Sequence, residues 1–262
     1  MSSFVPKLLV FFLPVICCVC MGCATARPPA IPSGPEAVVV DSAEEVQVGR
    51  SMAQLIIAPR YAPWNNSVEQ RRLNAIGRKI AAASDRPDIV YHLQIFDSPD
   101  YDAFALPGGY VYLSRGLYQD LDDDGRAAIV AHEIAHVAAY HTVKRMQSVL
   151  GDEMFVGLVL AGVGQKDPQI IRMVAGASDA VFDLLGRGYG RQDELEADAL
   201  AVKYLARAGY DPYALADTLE FLMKEKKKAG KAFEILNAPV RMSERIRRSR
   251  KEAEIAGAGF GF

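Results

Sequence analysis

After Cys23 the chain contains no cysteine. Cys17, Cys18, Cys20 and Cys23 all fall in the first 23 residues, which excludes a disulfide framework for everything that follows. Charge of one sign is not in excess either: 30 Lys and Arg stand against 32 Asp and Glu, a net charge of −2, which argues against a nucleic-acid partner. Nor is there an apolar run long enough to cross a bilayer. Leu8 to Met21 gives fourteen residues and Met154 to Gly164 eleven, short of the ~20 that a spanning helix needs. The glycine cluster Gly186-Arg187-Gly188-Tyr189-Gly190-Arg191 has no strand ahead of it, so it is not a dinucleotide-binding fingerprint.

What is present suits one domain of generous size, since the chain has 262 residues and 50% of them are hydrophobic. The amino-terminal segment differs in kind from the rest. Lys7, the apolar run and then Gly22-Cys23 have the layout of a secretory signal, and a small residue followed by Cys resembles a bacterial lipoprotein cleavage site. Residues 1–22 are therefore expected to be a signal peptide and Cys23 the lipidated first residue. Residues 23–40, with Pro28, Pro29, Pro32 and Pro35, form an extended tether. Residues 41–255 form the folded domain, and 256–262 a Gly-rich tail. Ala24 in place of Asp resembles outer-membrane sorting, so the expected location is the bacterial cell envelope, facing the periplasm, with the membrane as a partner through the lipid.

Helical spacing runs over Ser42 to Ile57, Ser67 to Ala83, Gln169 to Leu185, Gln192 to Ala208 and Tyr213 to Lys228. Between the second and third of these, Ile89 to Phe96, Ala103 to Leu106 and Tyr110 to Leu113 read as strands, the last two joined by Pro107-Gly108-Gly109. They predict a small antiparallel sheet, with an edge near Tyr110 to Leu113 that an extended peptide could join. His92, within the first strand, reads as structural. The basic stretch from Lys224 to Lys251 reads as a solvated helix face.

The chemistry is concentrated in His132-Glu133-Ile134-Ala135-His136. At about 100° per residue the two histidines lie roughly 40° apart on a helix and stack one turn above the other. That spacing lets two imidazoles hold one zinc ion. Glu133 falls on the flank of the same face, placed to work on a metal-bound water without being a ligand. Ala127, Ala128, Ile129, Val130, Ala131, Ile134, Ala135, Val137, Ala138 and Ala139 leave this helix almost no polar stripe, so it should be buried, with Asp123 or Asp124 capping its start. A third ligand has to come from elsewhere. In Asp193-Glu194-Leu195-Glu196-Ala197-Asp198, Glu194 and Asp198 share a helix face with Ala197, Ala201 and Leu205, while Glu196 points about 160° away from Glu194. Glu194 is the natural third ligand. Asp198, one turn on, is placed to accept a hydrogen bond from the outer nitrogen of a liganding histidine.

Four blocks in this order resemble the zinc metallopeptidases related to the CAAX prenyl endopeptidases, a family with a heat-shock membrane protease and periplasmic quality-control members. The blocks are Ala103-Phe104-Ala105-Leu106-Pro107-Gly108-Gly109-Tyr110-Val111-Tyr112, Arg115-Gly116-Leu117, His132-Glu133-Ile134-Ala135-His136-Val137 and Glu194-Leu195-Glu196-Ala197-Asp198. The likeness extends from about Glu44 to about Arg250. It implies an α+β, mainly helical zincin of gluzincin-like type, one zinc per chain on His132, His136 and Glu194, and Glu133 as general base. Asp102 stands where the family usually has Asn. Ala238-Pro239 stands where it has His-Pro, leaving Arg245, Tyr189 or Arg191 to support the transition state.

The expected activity is that of a zinc-dependent endopeptidase acting on misfolded or unassembled envelope proteins. The rival reading is a zinc-bearing, weakly active chaperone or assembly factor for outer-membrane proteins, which the missing histidine at Ala238 favours.

Overall fold

A computed structural model of the chain describes residues 42–164, 167–229 and 240–260. The readings made for residues 1–41, Cys23 among them, and for Ala238 lie outside the described residues. Two helices open the described part. α1 (Ser42–Met52) runs on through a widened turn at Ala53–Ile57, and α2 (Ser67–Ala83) follows. Asn66 caps α2 by accepting the Glu69 N–H at 3.2 Å, and Leu73, Ile76 and Ile80 bury its inner face.

Three strands come next: β1 (His92–Phe96), β2 (Ala103–Leu106) and β3 (Tyr110–Ser114). The Pro107–Gly109 turn makes β2 and β3 an antiparallel pair, as expected. β1, however, lies parallel to β3 on its other side, so the sheet is mixed, in the order β1-β3-β2. β3 is thus the central strand, not an edge. The physical reason is the crossing link at residues 97–102. Ser114 Oγ donates to the Asp100 carbonyl at 2.6 Å and accepts the Asp102 N–H at 3.0 Å. Gly116 leaves the room that Pro99 fills, since a Cβ there would lie 2.2 Å from the Pro99 oxygen. The outer side of β1 is taken by residues 62–64, where Trp64 N–H reaches the Ile95 carbonyl at 2.9 Å. His92 stacks on Tyr110, ring centroids 4.8 Å apart, and stays away from the chemistry.

Helices α3 (Arg115–Asp120) and α4 (Asp123–Ala138) follow β3 directly. The cap of α4 is Asp122, one residue before the expected ones; its carboxylate accepts the Gly125 N–H at 2.8 Å. Every residue of α4 from Gly125 to Ala138 is buried, which explains the missing polar stripe. The remaining helices are α5 (His141–Gly162), α6 (Pro168–Gly176), α7 (Ser178–Gly186), α8 (Arg191–Ala208), α9 (Ala214–Ala229) and α10 (Met242–Phe260). The helix expected from Gln169 to Leu185 is split at Ala177 into α6 and α7, and α10 continues to Phe260 through residues that the sequence set apart as a tail. α8 packs along α4, with α2, α9 and the sheet around the rest of it. No described helix is long and apolar enough to cross a membrane.

α1 lies close against the Pro107–Gly109 turn. A Cβ on Gly49 would stand 1.9 Å from the Pro107 carbonyl oxygen, whereas one on Gly176, in α6, would meet nothing within 4 Å. Gly49→Ala should therefore destabilise the chain by about 1–3 kcal/mol through overpacking, and Gly176→Ala should stabilise it by up to about 1 kcal/mol through helix propensity. Denaturant midpoints of the two variants check both signs.

Candidate metal centre

α4 supplies His132, Glu133 and His136, α8 supplies Glu194 and Asp198, and α10 supplies Arg245; none of the six is more than 4% exposed. His132 Nε2 lies 3.2 Å from His136 Nε2 and 3.6 Å from Glu194 Oε2. Among the described residues these three form the one group of ligand-type side chains that converges on a point, with ligand atoms within 4.8 Å of one another. A tetrahedral zinc site with donors about 2.0–2.2 Å from the ion has those donors roughly 3.3–3.5 Å apart. The spacing fits.

The outer nitrogens fit as well. His132 Nδ1 is 3.1 Å from Asp198 Oδ1, and His136 Nδ1 is 3.1 Å from His141 Nδ1. If each ring's proton is used there, two Nε2 lone pairs and a carboxylate face one another, a donor set that calls for a cation. Acids outnumber cations here: Glu133, Glu194 and Asp198 stand against Arg245 and, at the cleft wall, Arg145.

Burial pushes the Glu133 carboxyl up to about 7. For Asp198 burial acts in the same upward direction, but Arg245 outweighs it and holds the group well below the usual carboxylate range. Burial opposes a charged His132, yet the hydrogen bond with Asp198 raises its pKa. Burial and the neighbouring His132 keep His136 far below the ordinary histidine value.

Arg245 grips Asp198 at two points, Nε to Oδ2 at 2.8 Å and Nη2 to Oδ1 at 2.8 Å, while Nη1 reaches Glu194 Oε2 at 3.2 Å. It is the only cation drawn from the basic carboxy-terminal stretch into this cluster among the described residues. Tyr189 is also brought in. Gly188 has φ +66°, the left-handed region that glycine enters freely, and the turn it makes aims the Tyr189 N–H at Glu194 Oε1, 3.1 Å away. The Tyr189 ring stacks on His136 with centroids 3.7 Å apart. Arg191 is not brought in. Its half-exposed guanidinium pairs with Glu244 at 2.6 Å and joins the start of α8 to that of α10.

Two neighbours escaped the sequence. His141 touches His136, and Arg145 lies 4.6 Å over the Tyr189 ring. Both come from the start of α5, and the only signal was a third histidine five residues beyond the motif. A cleft lined by Ala103, Phe104, Arg145, Leu185 and Tyr189 leads to the cluster.

The sequence profile described as Peptidase family M48 matches residues 67–253. The chain is similar to the Beta-barrel assembly-enhancing protease of Escherichia coli (strain K12), 26% identical over 181 residues, 66% of this chain and 36% of the relative. It therefore spans about a third of that relative's length. It is also similar to Metalloprotease LoiP of Escherichia coli (strain K12), 27% identical over 204 residues, 73% of this chain and 75% of the relative. A third likeness is to the Mitochondrial metalloendopeptidase OMA1 of Schizosaccharomyces pombe, 28% identical over 194 residues, 72% of this chain and 53% of the relative. A profile match over most of its length, with the HExxH helix inside the matched range, means that the chain belongs to Peptidase family M48, a family of metallopeptidases.

Proposed function

We propose that the chain is a zinc-dependent endopeptidase of the bacterial cell envelope, with His132, His136 and Glu194 as ligands, one zinc per chain, and misfolded or unassembled envelope proteins as substrates. The observation that carries this reading is the convergence of three buried ligand atoms beside the buried Glu133. His132, His136 and Glu194 would hold a zinc ion, which would supply Lewis-acid chemistry, acidifying water and polarising a peptide carbonyl. Glu133 takes the proton of the attacking water and passes it to the leaving amine. Asp198 orients His132, and Arg245 keeps Asp198 ionised and pointed at that ring. Tyr189 supports the oxyanion: burial and the nearby Glu133 raise its pKa, so its phenol stays protonated and able to donate. Arg245 is held by two carboxylates, with Nη2 also 3.4 Å from His132 Nε2, and Arg191 pairs with Glu244, so Tyr189 is the better candidate for that task. β2, the edge strand, puts Ala103 and Phe104 into the cleft wall. An extended peptide lies along it more readily than a folded domain.

The envelope location and protein substrates are supported by the names of the relatives and by the leader-like segment that ends in Gly22-Cys23. Cys23 carries the lipid in this reading and the outer membrane is its destination. Ala238, in the place of the family's histidine, favours the second reading, a weakly active chaperone for outer-membrane proteins. Hydrolysis separates the two.

Glu133→Gln should keep its zinc and its fold yet cleave an unfolded protein about 10² to 10⁴ times more slowly, the usual cost of losing a general base. Metal analysis beside a proteolysis assay checks it, and unchanged cleavage by metal-loaded variant would leave the chaperone reading. Tyr189→Phe should lower turnover by roughly 10²-fold, as loss of one oxyanion donor does, with zinc content unaltered; single-turnover rates decide. Cys23→Ser should abolish incorporation of labelled fatty acid in cells, and a label that persists would put the modification elsewhere.

A further inference from the structure

His136 and His141 are five residues apart. On one continuous helix they would point about 140° away from each other. Instead α4 ends at Ala138, and Tyr140 adopts φ +60°, the only positive φ of a non-glycine residue among those described. That sharp turn starts α5 at His141 and brings its imidazole to His136, ring centroids 5.2 Å apart and Nδ1 to Nδ1 at 3.1 Å. His141 is buried, and its Nε2 faces Asp193 Oδ1 at 3.6 Å and Glu196 Oε2 at 3.5 Å, in the first turns of α8.

A contact between two Nδ1 atoms has room for one proton. His136 needs its Nε2 lone pair for the metal, so the proton between the rings belongs to His136. His141 must then accept, and its own proton moves to Nε2, where two carboxylates wait. We propose that His141 is the positioning residue of His136, holding that ligand's tautomer and ring angle for zinc through the Nδ1–Nδ1 contact, with the carboxylates of Asp193 and Glu196 facing the far side of the His141 ring. This rests on the zinc reading given above. His132 gets the same service from a carboxylate, Asp198; His136 gets it from a neutral ring, with the carboxylates one step further out. Glu196, which points away from Glu194 on its helix, thereby acquires a use in the site. A left-handed non-glycine residue is uncommon and has to be held by its surroundings, and here its effect is to deliver this ring.

The test measures zinc affinity by chelator competition on the full chain, together with unfolding of the metal-free protein. His141→Leu, similar in bulk but unable to accept, should weaken zinc binding by about 10- to 100-fold, the usual effect of losing such a partner, while the metal-free protein unfolds near the original midpoint. His141→Gln, whose amide oxygen can accept from His136, should return the affinity to within a few-fold. In ¹⁵N spectra of the zinc-loaded chain the His136 proton should sit on Nδ1, and His141→Leu should expose it to exchange with water. Zinc affinity within twofold of the original in His141→Leu overturns the proposal, and so does a Gln variant no better than Leu with both metal-free proteins destabilised, which would make His141 a packing residue. A folded original chain that binds no zinc removes the zinc reading itself, a result distinct from either.

Discussion

The structure depends on how closely α4 and α8 approach. His132 and Glu194 sit on different helices, yet their ligand atoms are 3.6 Å apart, and helices pack closely where the side chains between them are small. Ala128 and Ala135 on α4 and Ala197 and Ala201 on α8 are fully buried and lie within about 60° of His132 and of Glu194 on their helices, so the ionisable residues share their faces with small ones. An apolar helix with three ionisable groups would be unstable on its own. Beside α8 and α10 each of those groups has a partner or a place at the cation site.

Arg245 shows what such a partner must be. It meets Asp198 with two nitrogens and Glu194 with the third, a fork that lysine, a point charge, does not reproduce. A fully buried ion pair of this kind is weak evidence for stability, because desolvation offsets most of the Coulomb gain. Its worth here is positional. It turns Asp198 toward His132 and fixes Glu194 from one side, while the Tyr189 N–H fixes it from the other.

Much of this was legible in the sequence wherever a local period determined the outcome. α2 runs over the residues its spacing predicts, α4 is buried as its lack of a polar stripe requires, and Glu194 and Asp198 share the face that their separation by four dictates. Most of the features that were not legible are non-local. β1 lies beyond β3 because Ser114 and Gly116 hold the crossing link, a fact that no alternation of apolar residues encodes. The break at Ala177 leaves no mark in a pattern that reads as one helix. His141 was invisible for a geometric reason: a spacing of five carries no meaning on a helix until Tyr140 interrupts it. Arg191 and Arg245 look equally plausible as letters. Only α10, with Glu244 exposed enough to take the first and Arg245 turned inward to two carboxylates, tells them apart.

A second buried ion pair shows why the interruption at Tyr140 falls where it does. Glu45, in α1, meets Arg86 at 2.8 Å and also accepts the Gly108 N–H at 3.0 Å. Arg86 in turn donates to the Val137 carbonyl at 3.3 Å and lies 4.2 Å over the Tyr140 ring. Val137 is in the last turn of α4, where a cation is favoured by the helix dipole, and its carbonyl also accepts the Tyr140 N–H at 3.0 Å. One guanidinium therefore touches both the end of α4 and the aromatic residue that makes the turn. The first buried pair sets where the ligands point, and this second one sets where their helix stops, which decides whether His141 reaches His136 at all.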